Sequence, residues 1–345
     1  MNKISKSIVS GFKFAEISNV IFSGVFLKSQ IEHLNLIENI DNHIGDDEYV
    51  FVRKNKFDLN ENNIIFCKTE YLNELFNMLN THCTFKNIKL ITHQSDLKIT
   101  KKLFKKKPAC ISKWYSINVD FKDENLIPIP LGLANFHSKN LNEEIFKNNI
   151  NFANYYNLKS RLLYLNFNVN TNFGHRKNLF TLFQKYNWAS LEKNTLEHFV
   201  YKKNMAEHFF TLTPWGNGID THRFWEALYS GSIPVTKKHM IYESFKDIPK
   251  VLVNNYKDIN YNFLIKELER ITNNNQKYNY SELNFEYWRD LIIDESNYIK
   301  NNTTQHIVSS SHWFIKNLPD YKHLIYSKLK IFNRLRRFIY KNTGI

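Results

Sequence analysis

Arg223 and Glu226 lie one helical turn apart in the stretch from Phe209 to Thr236, FFTLTPWGNGIDTHRFWEALYSGSIPVT. An arginine suits a diphosphate and a carboxylate suits the vicinal hydroxyls of a ribose, so together they would read a sugar nucleotide. The neighbouring residues supply the rest of an anion site. Gly216-Asn217-Gly218 lets the backbone turn sharply and approach a ligand. Asp220 or Thr221 would cap a helix over His222 to Tyr229 that ends at Gly231, and a helix N-terminus presents unpaired N–H groups to an anion. A cation in the first turn, as Arg223 is, opposes the helix dipole unless a bound anion offsets it. An ordinary surface Arg–Glu pair is the plainer account of the same two residues.

Two short apolar runs flank this loop and helix. Phe209 to Thr213, bounded by Pro214, reads as a buried strand, and Ser232 to Val235 reads as the next one. The unit is therefore strand, Gly-rich loop, helix, strand, the arrangement in which nucleotides bind at the helix N-terminus.

Residues 207–236 resemble the C-terminal signature of exostosin-like glycosyltransferases. The likeness is carried by the apolar strand, Pro214, Gly216, the polar loop, the run Arg223-Phe224-Trp225-Glu226-Ala227-Leu228, and Gly231-Ser232-Ile233-Pro234-Val235. Bacterial and viral members are similar at three more places: ITHQSD at 91–96, IPIPLGLAN at 127–135, and Leu163-Tyr164-Leu165-Asn166-Phe167 followed by Arg176. These segments keep the family's order. The resemblance implies a GT-B fold, an α/β architecture of two Rossmann-like domains facing a cleft. It also implies a nucleotide-sugar donor and metal-independent transfer. Animal exostosins have Gly-Cys where this chain has Gly231-Ser232, so donor and linkage are not inherited from the likeness.

Composition sets the outer bounds. A chain of 345 residues suggests two domains, with one large domain the alternative, and 43% hydrophobic and 15% aromatic content are ample for a core. Cys67, Cys83 and Cys110 are odd in number and lack CxxC spacing, which speaks for a reducing compartment and against a disulfide framework or zinc site. No convincing signal peptide opens the chain, and the uncharged run from Ile17 to Leu27 is too short to span a bilayer. The expected location is cytoplasmic, with peripheral attachment to the inner face of the membrane open to the tail. Of the net charge of +14, seven units fall on Lys322, Lys328, Lys330, Arg334, Arg336, Arg337 and Lys341. Residues 321–345 thus read as a basic amphipathic helix, either an anchor for an anionic membrane surface or a terminal helix packed on the body.

Along the chain, strands are expected at Val20–Phe22, Ile64–Cys67, Ile88–Thr92, Cys110–Trp114 and Leu126–Ile129, with a helix over Glu70–Leu79 capped by Thr69. Residues 1–160 form the acceptor-side domain, with 136–160 a linker or edge helix. Residues 161–320 form the nucleotide-sugar-binding domain, opening on Leu162–Leu165. Arg176 is expected to begin a helix there and to face an anion. Lys250–Val253 reads as a strand, Asn260–Asn273 as a helix, and 280–318 as mostly helical.

Glycosyl transfer needs a held diphosphate, an activated hydroxyl and exclusion of water. Arg176, Arg223 and the amides of residues 216–222 are the expected donor-binding set, with Asp220, Thr221, His222 and Glu226 beside them. Asp96 is the first candidate for general base and His93 the second, because both follow a strand on the acceptor side, with Asp220 and His222 of the donor loop as alternatives. A helix or turn cap is the plainer role for Asp96, and a satisfied polar residue that for His93. There is no Asp-x-Asp triplet, and His222 and His239 lack a third partner at ligand spacing, so no metal and no cofactor are expected. A dinucleotide fingerprint would need a third glycine, and neither a Walker loop nor a Gly-x-Ser-x-Gly elbow is present.

The reading is a glycosyltransferase that moves a sugar from a nucleoside diphosphate to a glycan or glycolipid acceptor in surface polysaccharide or lipopolysaccharide assembly. A fucosyltransferase-like GT-B enzyme selecting a guanine nucleotide is the near alternative. A nucleic-acid-binding or nucleic-acid-glycosylating protein is the distant one, motivated by the charge and by 28 Phe, 19 Tyr and 6 Trp.

Overall fold

The computed structural model describes residues 8–34, 42–45, 48–134, 159–274, 277–293 and 303–308. The expected basic tail and most of the expected linker at 136–160 lie outside the described residues. The strands in chain order are β1 (Val20–Leu27), β2 (Asn42–Gly45), β3 (Tyr49–Arg53), β4 (Lys56–Asn60), β5 (Ile64–Lys68), β6 (Ile88–His93), β7 (Ile111–Ser116), β8 (Leu126–Pro128), β9 (Arg161–Leu165), β10 (Ala189–Leu191), β11 (His208–Leu212), β12 (Ile233–Lys237), β13 (Val251–Val253) and β14 (Thr304–Val308).

Twelve of them form two α/β layers, and β4 and β14 pair as a separate two-stranded sheet. The first sheet has the order β2-β3-β1-β5-β6-β7-β8. Its strands β1, β5, β6, β7 and β8 run parallel, while at the edge β3 pairs antiparallel with β1 and β2 antiparallel with β3. The second sheet, β10-β9-β11-β12-β13, is parallel throughout. Numbered from its own first strand this is the doubly wound order 2-1-3-4-5, whose direction reverses between β9 and β11. In such sheets the crevice at the carboxyl ends of the strands beside that reversal is where ligands bind.

The apolar runs that marked β5, β6, β11 and β12 are buried on both faces, as parallel strands covered by helices require. One core packs the helix Leu72–His82 onto the first sheet through Leu75, Phe76 and Leu79. Another packs the helix Tyr261–Asn273 onto the second through Leu264, Leu268 and Ile271. A third cluster is shared. In it Phe66, Ile91 and Tyr115 of the first sheet belong with Phe224, Trp225, Leu228 and Tyr229 of the helix His222–Tyr229. Each of these large side chains contributes ~1.5–3 kcal/mol when fully buried.

The structure departs from the sequence reading in three segments. Within 280–318 the described residues hold the expected helix, Phe285–Ile293, after a 3-10 turn at Ser281–Leu283, but 304–308 form a strand, β14, which pairs antiparallel with β4. Trp288 and Ile292 join the shared cluster, and Lys89 Nζ donates to the carbonyls of Ile292 (2.6 Å) and Ile293 (3.1 Å). Residues 285–293 and 304–308 therefore pack on the side of the first sheet, through the clusters shared with it, although the sequence grouped them with the second half. Arg176 ends the short helix Phe173–Arg176 instead of starting one. Thr69 opens a 3-10 turn ahead of the helix Leu72–His82 and gives it no side-chain cap.

Gly132, in the loop after β8, has φ +65, and a Cβ there would stand 2.2 Å from the Val9 carbonyl oxygen. Both the backbone conformation and the close approach exclude a side chain. Gly132→Ala is expected to destabilise the fold by more than ~1 kcal/mol, read as a lowered urea midpoint with an unchanged denaturant slope.

Candidate functional site

The carboxyl ends of both sheets open into one cleft of about 590 Å³. From the first sheet come Lys68 and Glu70 after β5, the turn His93-Gln94-Ser95-Asp96 after β6, and Leu131 to Ala134 after β8, except for Gly132. From the second come Asn168, Thr171 and Arg176 after β9, then Gly216 to Glu226 after β11, at the reversal of strand order. The structure brings all eleven expected site residues to this cleft: His93, Asp96, Arg176, Gly216, Asn217, Gly218, Asp220, Thr221, His222, Arg223 and Glu226.

Thr221 is the N-cap residue of the helix His222–Tyr229, yet its hydroxyl caps no backbone N–H. That hydroxyl is buried and unpartnered, as is Nε of Arg223. Beside them Arg176 is only 2% exposed. Its Nε donates to the Trp215 carbonyl, Nη1 to Asn168 and Nη2 to Pro214, each at 2.8 Å. It thereby staples the loop after β9 to the loop after β11. Among the described residues it has no carboxylate partner, and burial together with the Arg223 charge pulls it down to about 9. Both guanidinium groups lie over the Phe167 ring, at 5.6 and 6.0 Å from its centroid. A buried, unpaired cation costs several kcal/mol unless something negative offsets it.

Gly216 and Gly218 do different work. A Cβ on Gly216 would meet nothing closer than 3.5 Å, so the fold itself has room for one. A Cβ on Gly218 would come within 2.8 Å of Asn118 Nδ2. Asn118, with φ 53, donates from Nδ2 to the Ser95 carbonyl (2.9 Å) and accepts from the Asp220 N–H (2.9 Å). The sequence reading passed over this side chain. Its one legible signal is that asparagine tolerates the left-handed region better than most residues.

Asp220 is a second tie. Its carboxylate accepts the Leu131 N–H at 2.8 Å and the Trp225 indole N–H at 3.0 Å, and burial pushes it up to about 7. His222 Nδ1–H donates to the Gly132 carbonyl at 2.7 Å. Asp220 and His222 thus hold the first-sheet loop at 131–132 against the helix, which is a positioning task.

The two base candidates separate sharply. His93 is 1% exposed; its Nδ1 accepts the Gln94 N–H (2.8 Å), and its Nε2–H faces the Pro130 carbonyl (3.3 Å). Burial brings it down to about 3. A ring this engaged braces the turn and stays neutral. Gln94, at φ 58, holds the same turn by exchanging two hydrogen bonds with the Val25 backbone, at 2.7 and 2.8 Å. Asp96 is exposed in the cleft and makes no hydrogen bond or ion pair with any described residue.

Lys68 and Glu70 pair at 2.6 Å on the first-sheet wall. Glu226 is buried and accepts from the Tyr201 hydroxyl at 3.1 Å. Among the described residues no group of His, Cys, Asp or Glu has the geometry of a metal centre. No helix there is long and apolar enough to cross a membrane. No protein-family model matches the chain, and a search of curated proteins finds no match.

The Asp220 carboxyl binds its proton more tightly folded than unfolded between its ordinary 3.8 and about 7. Its contribution to stability is therefore greatest at low pH and declines as pH rises through that window. The stability of wild type relative to Asp220→Asn should be more favourable near about pH 5 than near about pH 8 in urea unfolding. A difference independent of pH would remove the raised carboxyl.

Proposed function

We propose that this chain is a GT-B glycosyltransferase of exostosin-like type. Its Rossmann-like halves, built on the sheet of β1 to β8 and on the sheet of β9 to β13, would face each other across the cleft, with the helix Phe285–Ile293 and β14 returning to the first. The observation that carries the reading is the buried, unpaired Arg176 beside Arg223 at an uncapped helix N-terminus. Bound phosphates would offset this charge, and the site lies at the strand-order reversal where a nucleotide's phosphates belong.

In the proposed reaction the diphosphate of the donor occupies the mouth of the helix His222–Tyr229. The amides of the first turn, the Thr221 hydroxyl and Arg223 donate to its oxygens. Arg176 contributes fixed charge from behind while its hydrogen bonds hold the two loops. Fixed, pre-oriented positive charge stabilises the departing nucleoside diphosphate without reorganisation during the reaction, and this is the role a divalent ion plays elsewhere. Glu226 takes the ribose hydroxyls. Gly216 leaves room for the phosphates to approach the backbone.

The acceptor hydroxyl enters from the first-sheet wall. Asp96 accepts its proton as the sugar is transferred, and His93 with Gln94 fixes the turn that carries Asp96. A glycan or glycolipid acceptor in surface polysaccharide or lipopolysaccharide assembly, at the cytoplasmic face of a membrane, fits the basic composition of the chain. A stacking platform for nucleic acid is less well supported. Among the described residues the exposed aromatic side chains are Phe199, Tyr261 and Tyr287, and none of them lines the cleft.

A thermal-shift series with UDP, GDP, CMP and ADP, each with and without EDTA, tests the donor site. One nucleotide should raise the midpoint by mass action, insensitive to the chelator. Arg223→Ala should abolish that shift. Gly216→Ala should do the same while leaving the ligand-free midpoint within a degree or so of wild type, because its Cβ fills ligand space and not protein space. If no nucleotide shifts the midpoint while DNA or RNA does, the glycosyltransferase reading fails.

Asp96→Asn should leave nucleotide affinity unchanged and lower turnover by about 100-fold or more, measured as sugar transfer with the donor that the shift series selects. Full turnover in this variant would exclude Asp96 as the base.

A further inference from the structure

Residues 97–107 read LKITKKLFKKK, with six lysines in eleven positions and no Asp or Glu. Neither the fold nor the proposed donor site uses that charge. The segment begins directly after Asp96 on the wall of the cleft and leads to the start of β7. Because β6 and β7 are parallel neighbours, the connection between them runs back along the strands, from the cleft to the opposite end of the sheet.

The backbone of this segment is fixed. Ile99 is fully buried; its N–H donates to the Asn118 carbonyl at 3.0 Å, and its carbonyl accepts the Asp120 N–H at 3.2 Å. Thr100 Oγ1 caps the short helix Lys101–Phe104 by accepting the Leu103 N–H at 3.3 Å. The Phe104 ring stacks on the buried Trp114 at 5.8 Å and meets the Phe121 ring edge-on at 5.4 Å. Leu103 and Phe104 both pack on the apolar cluster that holds the helix Leu72–His82. Lys107 also turns inward, where its Nζ donates to the Ile111 carbonyl and lies 5.9 Å from the Phe104 ring centroid.

With these residues turned to the core, Lys98, Lys101, Lys102, Lys105 and Lys106 are all exposed. Leu97, at the cleft end of the segment, is 50% exposed. Lys98 has Asp120 at 3.9 Å, a carboxylate that pairs more closely with His239 at 3.0 Å. Among the described residues, Lys101, Lys102, Lys105 and Lys106 make no ion pair and no side-chain hydrogen bond.

We infer that this lysine stripe is a docking surface for an anionic lipid bilayer, with Leu97 entering the interface beside the cleft. Unpaired ammonium groups on a rigid support repel one another, and a surface of opposite sign relieves the repulsion. A fluid array of lipid phosphates can meet them at whatever spacing the protein presents, and each lysine near it adds to the attraction. An exposed leucine is unfavourable in water and favourable at the headgroup boundary. Nucleic acid is the poorer partner. Its bases need exposed rings to stack on, whereas Phe104 and Phe121 are committed to Trp114 and to each other. The stripe also holds no arginine for a bidentate grip on phosphate. The docking itself does not require the donor site. Its link to catalysis rests on the glycosyltransferase reading, in which a glycolipid in that bilayer would be presented to the side of the cleft that carries Asp96.

The test pellets the full chain with large vesicles of phosphatidylcholine alone, or of phosphatidylcholine and phosphatidylglycerol in equal parts. Binding is expected to the anionic vesicles and not to the neutral ones, and added sodium chloride should release it. The variant carrying Lys101→Gln, Lys102→Gln, Lys105→Gln and Lys106→Gln together should partition about tenfold or more weaker. Leu97→Ser should weaken partitioning by a smaller factor. Residues 321–345 are unchanged in every variant, so a loss belongs to the stripe. Both variants should keep the wild-type thermal midpoint and the wild-type response to nucleotides, which separates failure of the docking surface from failure of the donor site. Wild-type protein that ignores anionic vesicles or binds neutral ones equally would overturn the proposal, as would a quadruple variant that partitions like wild type. Lysine-dependent binding of an RNA or DNA oligonucleotide that anionic vesicles fail to displace would overturn it in favour of nucleic acid.

Discussion

Asn118 and Asp220 hold the loops of one sheet in register with those of the other, and the shape of the cleft depends on them. The shared apolar cluster below the cleft supplies most of the attraction between the sheets, but burial of apolar surface is non-directional. The two polar side chains supply the direction. Asn118 uses its amide donor on Ser95 and its amide oxygen on the Asp220 N–H, and the Asp220 carboxylate reaches Leu131. Satisfied networks of this kind, buried in low dielectric, select one arrangement among many of similar apolar area. The absence of a side chain at Gly218 is what lets Asn118 enter.

The charges of the cleft are arranged against the stability of the empty fold. Arg176 and Arg223 repel each other, the Asp220 carboxyl is desolvated, and Gln94 and Asn118 carry left-handed backbone. Each is unfavourable alone, and together they occupy a few loops at one end of two well-packed sheets. Among the described residues many of the aromatic side chains lie in the cores. Phe22, Phe26, Phe66, Phe183, Phe210, Phe224 and Phe245 are all fully buried.

Most of the parallel strands and the helix His222–Tyr229 were legible because short apolar runs end at glycine, proline or polar residues. That the expected residues would meet in one cleft was legible for the same reason, since loops that follow parallel strands gather at one end of the sheet. What stayed hidden depends on distant partners. β14 reads Thr-Gln-His-Ile-Val and buries only Ile307, so nothing local separates it from a helix. Its pairing with β4 determines its conformation. His93 looked like a base because its type and position allow it; only burial and the engagement of both ring nitrogens reveal a brace. Asn118 carries no local signal beyond its residue type.

The return of the helix Phe285–Ile293 and of β14 to the side of the first sheet has a consequence for how the chain is made. β1 through β8 leave the ribosome first, but β4 waits for β14, and Phe14 waits for Phe285 and Trp288 of the same cluster. The second sheet, whose strands all lie between Arg161 and Val253, can assemble from a continuous stretch. The half synthesised second can therefore close before the half synthesised first. Until it does, the first sheet is held by its interior strands with its outer layer open, a state in which chaperone contact and pairing with other chains are kinetic competitors of folding.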